Sequence, residues 1–271
     1  MVKQLDIVAL VPARGGSKRL PQKNIRPLAY FPLIAYTLQA ALKSGIFKSI
    51  VVSTDCKETA KIGLAYGADT IIDRPAEISG ELSHDFEWVS HALEHLPPFN
   101  CFAILRPTSP FRTADTIIRA WNLFKARQPC DSLRAVQKVR EHPYKTWYKV
   151  GDFIDPYVEF KKGNIKGYDL PYQSLPEMYV QNGCLQIAHT DTLRKYGNVT
   201  GWRVIPFKTQ GHEGIDINTV EDIWLAESII NGHVGKTADI MCGYREGGKA
   251  NDGMTHREFM DWMQKNIQGG R

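Results

Sequence analysis

Short apolar, β-branched runs alternate along the chain with longer stretches whose apolar residues recur every three or four positions. "DIVALVPA" (6–13), "SIVVSTD" (49–55), "DTIIDRP" (69–75) and "CFAIL" (101–105) have the length and composition of strands. Between and after them, "PLIAYTLQAALKSG" (32–45), "CKETAKIGLAYG" (56–67), "DFEWVSHALEHL" (85–96) and "TADTIIRAWNLFKAR" (113–127) have helical periodicity, with Gly45 and Gly67 where two of the helices should end. Repeated β-α-β with short turns predicts an α/β fold, a doubly wound and mostly parallel sheet with helices on both faces.

The pattern breaks at about residue 131. "DSLRAVQKV" still reads as a strand, but 140–179 is rich in aromatics, Pro and Gly with hairpin-like alternation. Residues 131–179 are therefore expected to form an inserted lobe within a domain of residues 1–230. Regular structure resumes with "VQNGCLQIAHTDTLRKYG", "WRVIPFK" and "HEGIDINTVEDIWLAESII", where Thr219 followed by Asp222 makes a capping-box-like helix start. Residues 231–271 read as an extension of unknown role with one amphipathic piece, "HREFMDWMQKNI".

Composition changes this picture little. Hydrophobic content of 43% and charged content of 23% are those of a globular protein that buries a proper core. The net charge of +5 suits an anionic small-molecule partner. Basic stripes interleaved with stacking aromatics are missing, so nucleic acid is not favoured. No apolar stretch reaches the roughly 18–20 residues of a membrane span. The N-terminus has no small-residue cleavage site and reads as mature sequence. The five cysteines, Cys56, Cys101, Cys130, Cys184 and Cys242, are scattered without a CxxC and are expected as reduced thiols of a cytoplasmic protein.

Ligands of open α/β sheets sit beyond the carboxyl ends of the strands. The loop "VPARGGSKRLPQKN" (11–24), "STD" (53–55) and "RPTSP" (106–110) all fall there. The first is the most suggestive, with Arg14, Lys18, Arg19 and Lys23 around Gly15-Gly16. It can be an anion cradle, with backbone N–H groups and a guanidinium fork on phosphate, or a solvated glycine turn. It matches neither GxxxxGK[ST] nor GxGxxG, and "GHVGKT" (232–237) has its first glycine one position too late for a P-loop. Asp216 can hold Mg²⁺ against a triphosphate, or simply start a helix. Asp55 can cap the helix that follows it. His91 and His95 stand at i, i+4 without a third ligand, and His84 and His142 have no metal-ligand spacing.

The motifs "VPARGGSKRLPQKNIRPLAYFPLIAYTLQAAL", "IVVSTDCKETAKIGLAYGA", "DRPAEISG", "LRPTSPFRT", "EHPYKTW", "VQNGCLQI" and "GIDINTVEDIWLAE" occur in one order over residues 5–230. In that order they resemble the acylneuraminate cytidylyltransferases, the CMP-sialic acid synthetases and their relatives acting on other nonulosonic and 3-deoxy sugar acids. The resemblance implies the nucleotide-diphospho-sugar transferase-like fold. It also implies attack of the anomeric hydroxyl of a 2-keto sugar acid on the α-phosphate of CTP, releasing pyrophosphate. By the same implication Arg14, Gly15, Gly16, Ser17 and Lys18 hold the CTP phosphates, and Lys23 and Asn24 complete the nucleotide site. Arg14, Lys18 and Asp216 carry catalysis, and Asp216 with Asn218 holds Mg²⁺. Arg106, Lys145 and Asn182 face the sugar acid, and the inserted lobe makes a homodimer in which it reaches over the partner's site.

Several positions depart from the family's pattern. Arg106 stands where Gln usually precedes PTSP, and Asn218 where IDID has a second aspartate. Tyr172 and Val180-Gln181 stand where arginines are common. Phosphate-end residues are kept while sugar-end residues change. Two alternatives follow: transfer to another acid, such as a 3-deoxy-octulosonic acid or a phosphonate, or a nucleotide-binding relative without catalysis, with Asn218 as the symptom.

Overall fold

In a computed structural model of the chain the described residues are 5–232. "GHVGKT" after Gly232, Cys242 and the amphipathic 256–267 lie outside them. By contacts the chain separates into two units, one made of residues up to 135 and from 182 onward, the other Val136–Gln181.

The first unit is built on a seven-stranded sheet: β1 (Ile7–Pro12), β2 (Ser49–Thr54), β3 (Thr70–Asp73), β4 (Cys101–Ile104), β5 (Ser132–Lys138), β6 (Tyr179–His189) and β7 (Val204–Lys208), in the order β7-β5-β6-β4-β1-β2-β3. β1 pairs in parallel with β2 and β4, and β2 in parallel with β3; β6 runs antiparallel to β4. The helices are α1 (Leu33–Ser44), α2 (Lys57–Ala65), α3 (Asp85–Glu94), α4 (Ala114–Ala126), α5 (Asp191–Tyr196) and α6 (Val220–Gly232).

The winding follows from side chains that alternate along each strand. Ile7, Ala9 and Val11 of β1 enter a core with Ile34, Leu38 and Ala41 of α1, Ile62 of α2, and Ile117, Trp121 and Phe124 of α4. Val8 and Leu10 point the other way, into a core with Trp88, Val89 and Ala92 of α3 and Leu193 of α5. Both faces of β1 are therefore dry, which explains its unbroken apolar run. Phe124 is fully buried, and Phe124→Ala is expected to cost roughly 3–5 kcal/mol.

Helix ends follow local chemistry. Gly45 closes α1 at φ 64, a left-handed conformation that glycine adopts without a Cβ penalty. Thr113 caps α4, its hydroxyl accepting from Thr116 N at 3.2 Å while Thr116 Oγ1 accepts from Thr113 N at 3.1 Å.

The chain leaves β1 for β2 and β3 on one side, and β4 lies on the other. That reversal opens a crevice beyond the carboxyl ends of β1 and β4.

Residues 136–181 form a small unit of hairpins. Trp147–Val150 pairs antiparallel with Phe153–Pro156, and Lys161–Lys162 with Ile165–Lys166. Tyr144 and Phe160 stack at 4.3 Å between ring centroids, directly over Gly167. These two aromatics are satisfied within the unit, whereas Trp147, Tyr148, Phe153 and Tyr157 are exposed.

Candidate active site

The crevice is a cleft of about 340 Å³ whose walls include Arg14, Ser17, Lys23, Asn24, Asp216 and Asn218. The loop after β1 forms its floor. Asn24 Nδ2 donates to Arg14 O at 3.0 Å and closes the loop on itself, and Thr54 Oγ1 donates to Ala13 O at 2.7 Å and ties it to the end of β2. Arg14 reaches across to donate to Ser79 O at 3.3 Å and to Gly80 O. Lys18 lies at the rim, mostly exposed, and pairs with Glu81 at 2.9 Å.

The loop differs from the expected cradle in one respect. Gly15 N–H donates to Asp55 Oδ1 at 2.7 Å and Ser17 N–H to Gly15 O at 2.9 Å, so two of its backbone donors are engaged within the protein. Side-chain charge, chiefly Arg14 and Lys23, is what this loop turns toward the cleft. Asp55 thus fastens the loop and makes no capping bond to α2, whose N-cap residue is Cys56. A β-carbon on Gly15 would stand 3.0 Å from Cys56 Cβ, so Gly15 answers to crowding. Gly16 faces open space.

At the other end, α6 begins as its capping box predicts. Asp222 Oδ2 accepts from Asn218 N and Thr219 N, both at 2.8 Å, and Asp222 N donates to Thr219 Oγ1 at 3.4 Å. This turn presents Asp216 and Asn218 together. Asn218 Nδ2 donates to Asp216 Oδ2 at 2.6 Å, and its Oδ1 accepts from Lys23 Nζ at 3.2 Å. The amide therefore links the ammonium of the loop to the carboxylate. A second aspartate would lack the donor that Asn218 gives Asp216. Burial lowers the pKa of Lys23, and the neighbouring Arg19, Arg14 and Arg106 charges add to that, while Asp216 opposes it.

Asp216 Oδ1 is buried without a hydrogen-bond partner, which is costly for a carboxylate unless a cation approaches. Among the described residues no three His, Cys, Asp or Glu side chains gather into a metal-holding group. The donor set is thus one carboxylate, with the Asn218 oxygen already on Lys23. It fits a hard, oxygen-seeking ion such as Mg²⁺, which usually keeps several waters and takes further ligands from phosphate.

Arg106 lines the opposite wall. Its guanidinium pairs with Asp85 Oδ2 at 2.5 Å, and Asp85 Oδ1 accepts from Trp88 Nε1 at 3.0 Å. The Trp88 ring carries Arg74, whose guanidinium carbon lies 5.0 Å from the centroid. Arg74 also donates to Ser53 Oγ and Ser53 O, each at 3.0 Å. Burial pulls the Arg74 pKa down to about 10, with Asp55 opposing, so it stays charged at neutral pH.

Arg74, Asp85 and Trp88 are cleft residues to which the motifs assign no role, although Arg74 stands within "DRPAEISG". The rule that ligands lie beyond strand ends could have flagged Arg74, one residue past β3. Lys145 and Asn182 are not among the residues that line the cleft. Lys145 belongs to the 136–181 unit, where its Nζ donates to Tyr168 O at 2.8 Å, and Asn182 donates to Thr209 Oγ1 at 3.0 Å.

Arg112 holds the cleft's frame from beneath. It is almost fully buried, at 1% exposure, and donates to Cys184 O, to Thr37 Oγ1 at 2.6 Å and to Arg106 O at 3.1 Å. Burial lowers its pKa to about 10.

This arrangement of cations and carboxylates around a switch-point cleft can be compared with known proteins. A family model described as cytidylyltransferase matches residues 8–146. The chain belongs to the cytidylyltransferase family. Among curated family relatives, the N-acylneuraminate cytidylyltransferase of Escherichia coli is 32% identical over 228 residues, covering 82% of this chain and 52% of the relative. The post-translational flagellin modification protein B of Campylobacter coli is 30% identical over 230 residues, covering 83% of this chain and 95% of the relative. The CMP-N,N'-diacetyllegionaminic acid synthase of Legionella pneumophila is 42% identical over 125 residues, 45% of this chain and 54% of the relative. The chain spans about half the length of the first and third of these and nearly all of the second.

A solved CMP:2-keto-3-deoxy-manno-octonic acid synthetase complexed with CTP superposes with a TM-score of 0.63 at 13% identity, covering 84% of this chain and 99% of that one. That likeness is one of fold, the nucleotide-diphospho-sugar transferase-like α/β arrangement. No helix among the described residues is long and apolar enough to cross a membrane.

Proposed function

We propose that the chain is a cytoplasmic, Mg²⁺-dependent cytidylyltransferase that transfers CMP from CTP to a 2-keto sugar acid of the sialic-acid-like, nonulosonic kind. The observation that carries this reading is the meeting of Arg14, Lys23 and Asn24 with Asp216 and Asn218 in one switch-point cleft. The names of its relatives, which act on acylneuraminic and legionaminic acids, supply the substrate class.

The anomeric hydroxyl oxygen forms a bond to the α-phosphorus and gives its proton to solvent. The bond from that phosphorus to the bridging oxygen of pyrophosphate breaks, its electron pair leaving with pyrophosphate. No covalent enzyme intermediate is needed, so the residues contribute position and charge. Arg14 and Lys23 bind the triphosphate and offset the charge that grows on the leaving pyrophosphate. Lys18 adds charge at the rim, and Ser17 and Asn24 shape the nucleotide end. Asp216 holds Mg²⁺, which when bound neutralises phosphate charge. Arg106, held by Asp85, grips the acceptor's carboxylate with a bidentate fork.

The exposed Trp147, Tyr148, Phe153 and Tyr157 of the 136–181 unit support assembly as a homodimer, because an apolar patch of this kind marks an interface. Pyrophosphate release with CTP and Mg²⁺ over a panel of nonulosonic, 3-deoxy-octulosonic and phosphonic acids tests the reading. Release with a nonulosonic acid is the expected result. Release only with a different acid would move the substrate class, and no release with any acid would remove the activity.

A further inference from the structure

We infer that Gly183 and Ser109 form the seat of the Asp216 carboxylate, with Gly183 acting as a positioning residue through the side chain it lacks. The inference rests on the reading that Asp216 holds the metal. A β-carbon at Gly183 would stand 3.1 Å from Asp216 Oδ1, 3.4 Å from its Cγ and 3.4 Å from Ser109 Oγ. Gly183 is not among the glycines with positive φ, so its backbone conformation is open to any residue and the demand is for space. Oδ1 of Asp216 and Oγ of Ser109, both pressed against this one point, are buried without hydrogen-bond partners.

Two further contacts hold the carboxylate where it meets the cleft. Oδ2 accepts from Asn218 Nδ2 at 2.6 Å, and the next peptide is fixed by Ile217 N donating to Thr108 O at 2.8 Å. A methyl group at 183 would push Oδ1 by a few tenths of an ångström and so strain the bond that Asn218 gives Oδ2. Ser109, 1% exposed, brings a hydroxyl to the same point of the backbone. Rotation of the Ser109 side chain that brings Oγ within bonding distance of Oδ1 would let it donate there and steady the ionised carboxylate when metal and CTP bind. Ser109 itself comes from the loop after β4, and Gly183 from β6. The seat is therefore assembled from two antiparallel neighbours of the sheet and is absent from either segment alone.

The test measures CTP affinity by calorimetry with Mg²⁺ and with EDTA, in the parent and in Gly183→Ala, Ser109→Ala, the double variant and Asp216→Asn, with thermal melts as a folding control. The readout is the factor by which Mg²⁺ tightens CTP binding. Gly183→Ala is expected to reduce that factor about tenfold, the scale of a sub-ångström misplacement. Ser109→Ala alone should reduce it about threefold, the worth of one hydrogen bond. Added to Gly183→Ala, however, it should restore part of the loss by making room, a non-additive pair.

If Asp216→Asn loses the factor while Gly183→Ala and Ser109→Ala keep it, the seat is overturned and the metal reading stands. If Asp216→Asn keeps the factor, or the parent shows none, the metal reading fails and the seat with it. Should Gly183→Ala not fold, Ser109→Ala decides, and an unchanged factor there overturns the proposal.

Discussion

Replacing Asp222 by alanine should loosen the turn that presents Asp216 and Asn218. Its Oδ2 accepts two backbone N–H groups, Asn218 and Thr219, at 2.8 Å each, and the Thr219 hydroxyl at 3.2 Å. Asp222 is the third-residue partner of the Thr219 cap, and charge-assisted bonds such as it accepts are worth roughly 1.5–3 kcal/mol when buried. The donors here are half-buried, so water recovers part of that, and about 2 kcal/mol is the expected net loss. For a chain of this size that corresponds to a fall in Tm of about 4–8 °C. Because Asn218 bridges Lys23 and Asp216, turnover should also fall, by about tenfold. Thermal melts beside pyrophosphate-release rates give both numbers. Asp222→Asn, which keeps one acceptor oxygen, should lie between parent and alanine. A Tm within ~1 °C of the parent would refute the cap energetics. A fallen Tm with parent-like turnover would instead show that the reacting groups do not depend on this turn.

Arg14→Ala should lower turnover roughly 10²-fold, as expected for a lost electrostatic contact to the leaving group, and an unchanged rate in a folded variant would take Arg14 out of the site. Asp216→Asn should abolish most activity. Asn218→Asp should remain active and need less Mg²⁺ for half-maximal rate, yet melt lower in EDTA, where two carboxylates would face each other; a Mg²⁺ titration with paired melts checks both. Phe153→Ser combined with Tyr157→Ser should shift the mass seen by light scattering toward monomer, and a monomeric parent would sink the idea. Asp131 accepts from Arg203 N at 2.8 Å and Trp202 N at 2.9 Å, which hold its carboxyl below the usual range. Its contribution is present above the unfolded pKa of about 3.9 and lost as pH falls through the folded value. Asp131→Asn should therefore lower Tm at neutral pH and flatten the acid side of the Tm profile.

The alternation of strands and helices was legible because each element's periodicity is local, and the two cores simply collect the odd and even residues of β1. The capping box at Thr219 and the helix ends at Gly45 and Gly67 are also matters of a few adjacent residues. The loop after β1 could be picked out as a cleft element from its charge and its place at a strand end. What could not be read are relations between distant segments. Nothing near Gly15 announces Cys56, and nothing near Asn218 says that its amide will lie between Lys23 and Asp216. The wall of Ser53, Arg74, Trp88, Asp85 and Arg106 draws on four separate segments, each ordinary by itself. Nothing in the aromatic-rich 140–179 stretch singles out Tyr144 and Phe160 as the pair that stacks.

Arg112 grips residue 106 by its main-chain oxygen, and Thr37 Oγ1 reaches the same oxygen at 3.3 Å. Neither contact depends on the side chain at 106. The backbone at that point is clamped whether it carries arginine, glutamine or another residue. A substitution at 106 can therefore change what that wall of the cleft offers a ligand while the main chain after β4 keeps its position. One enclosed guanidinium in this way makes the course of the backbone at 106 independent of the side chain it carries.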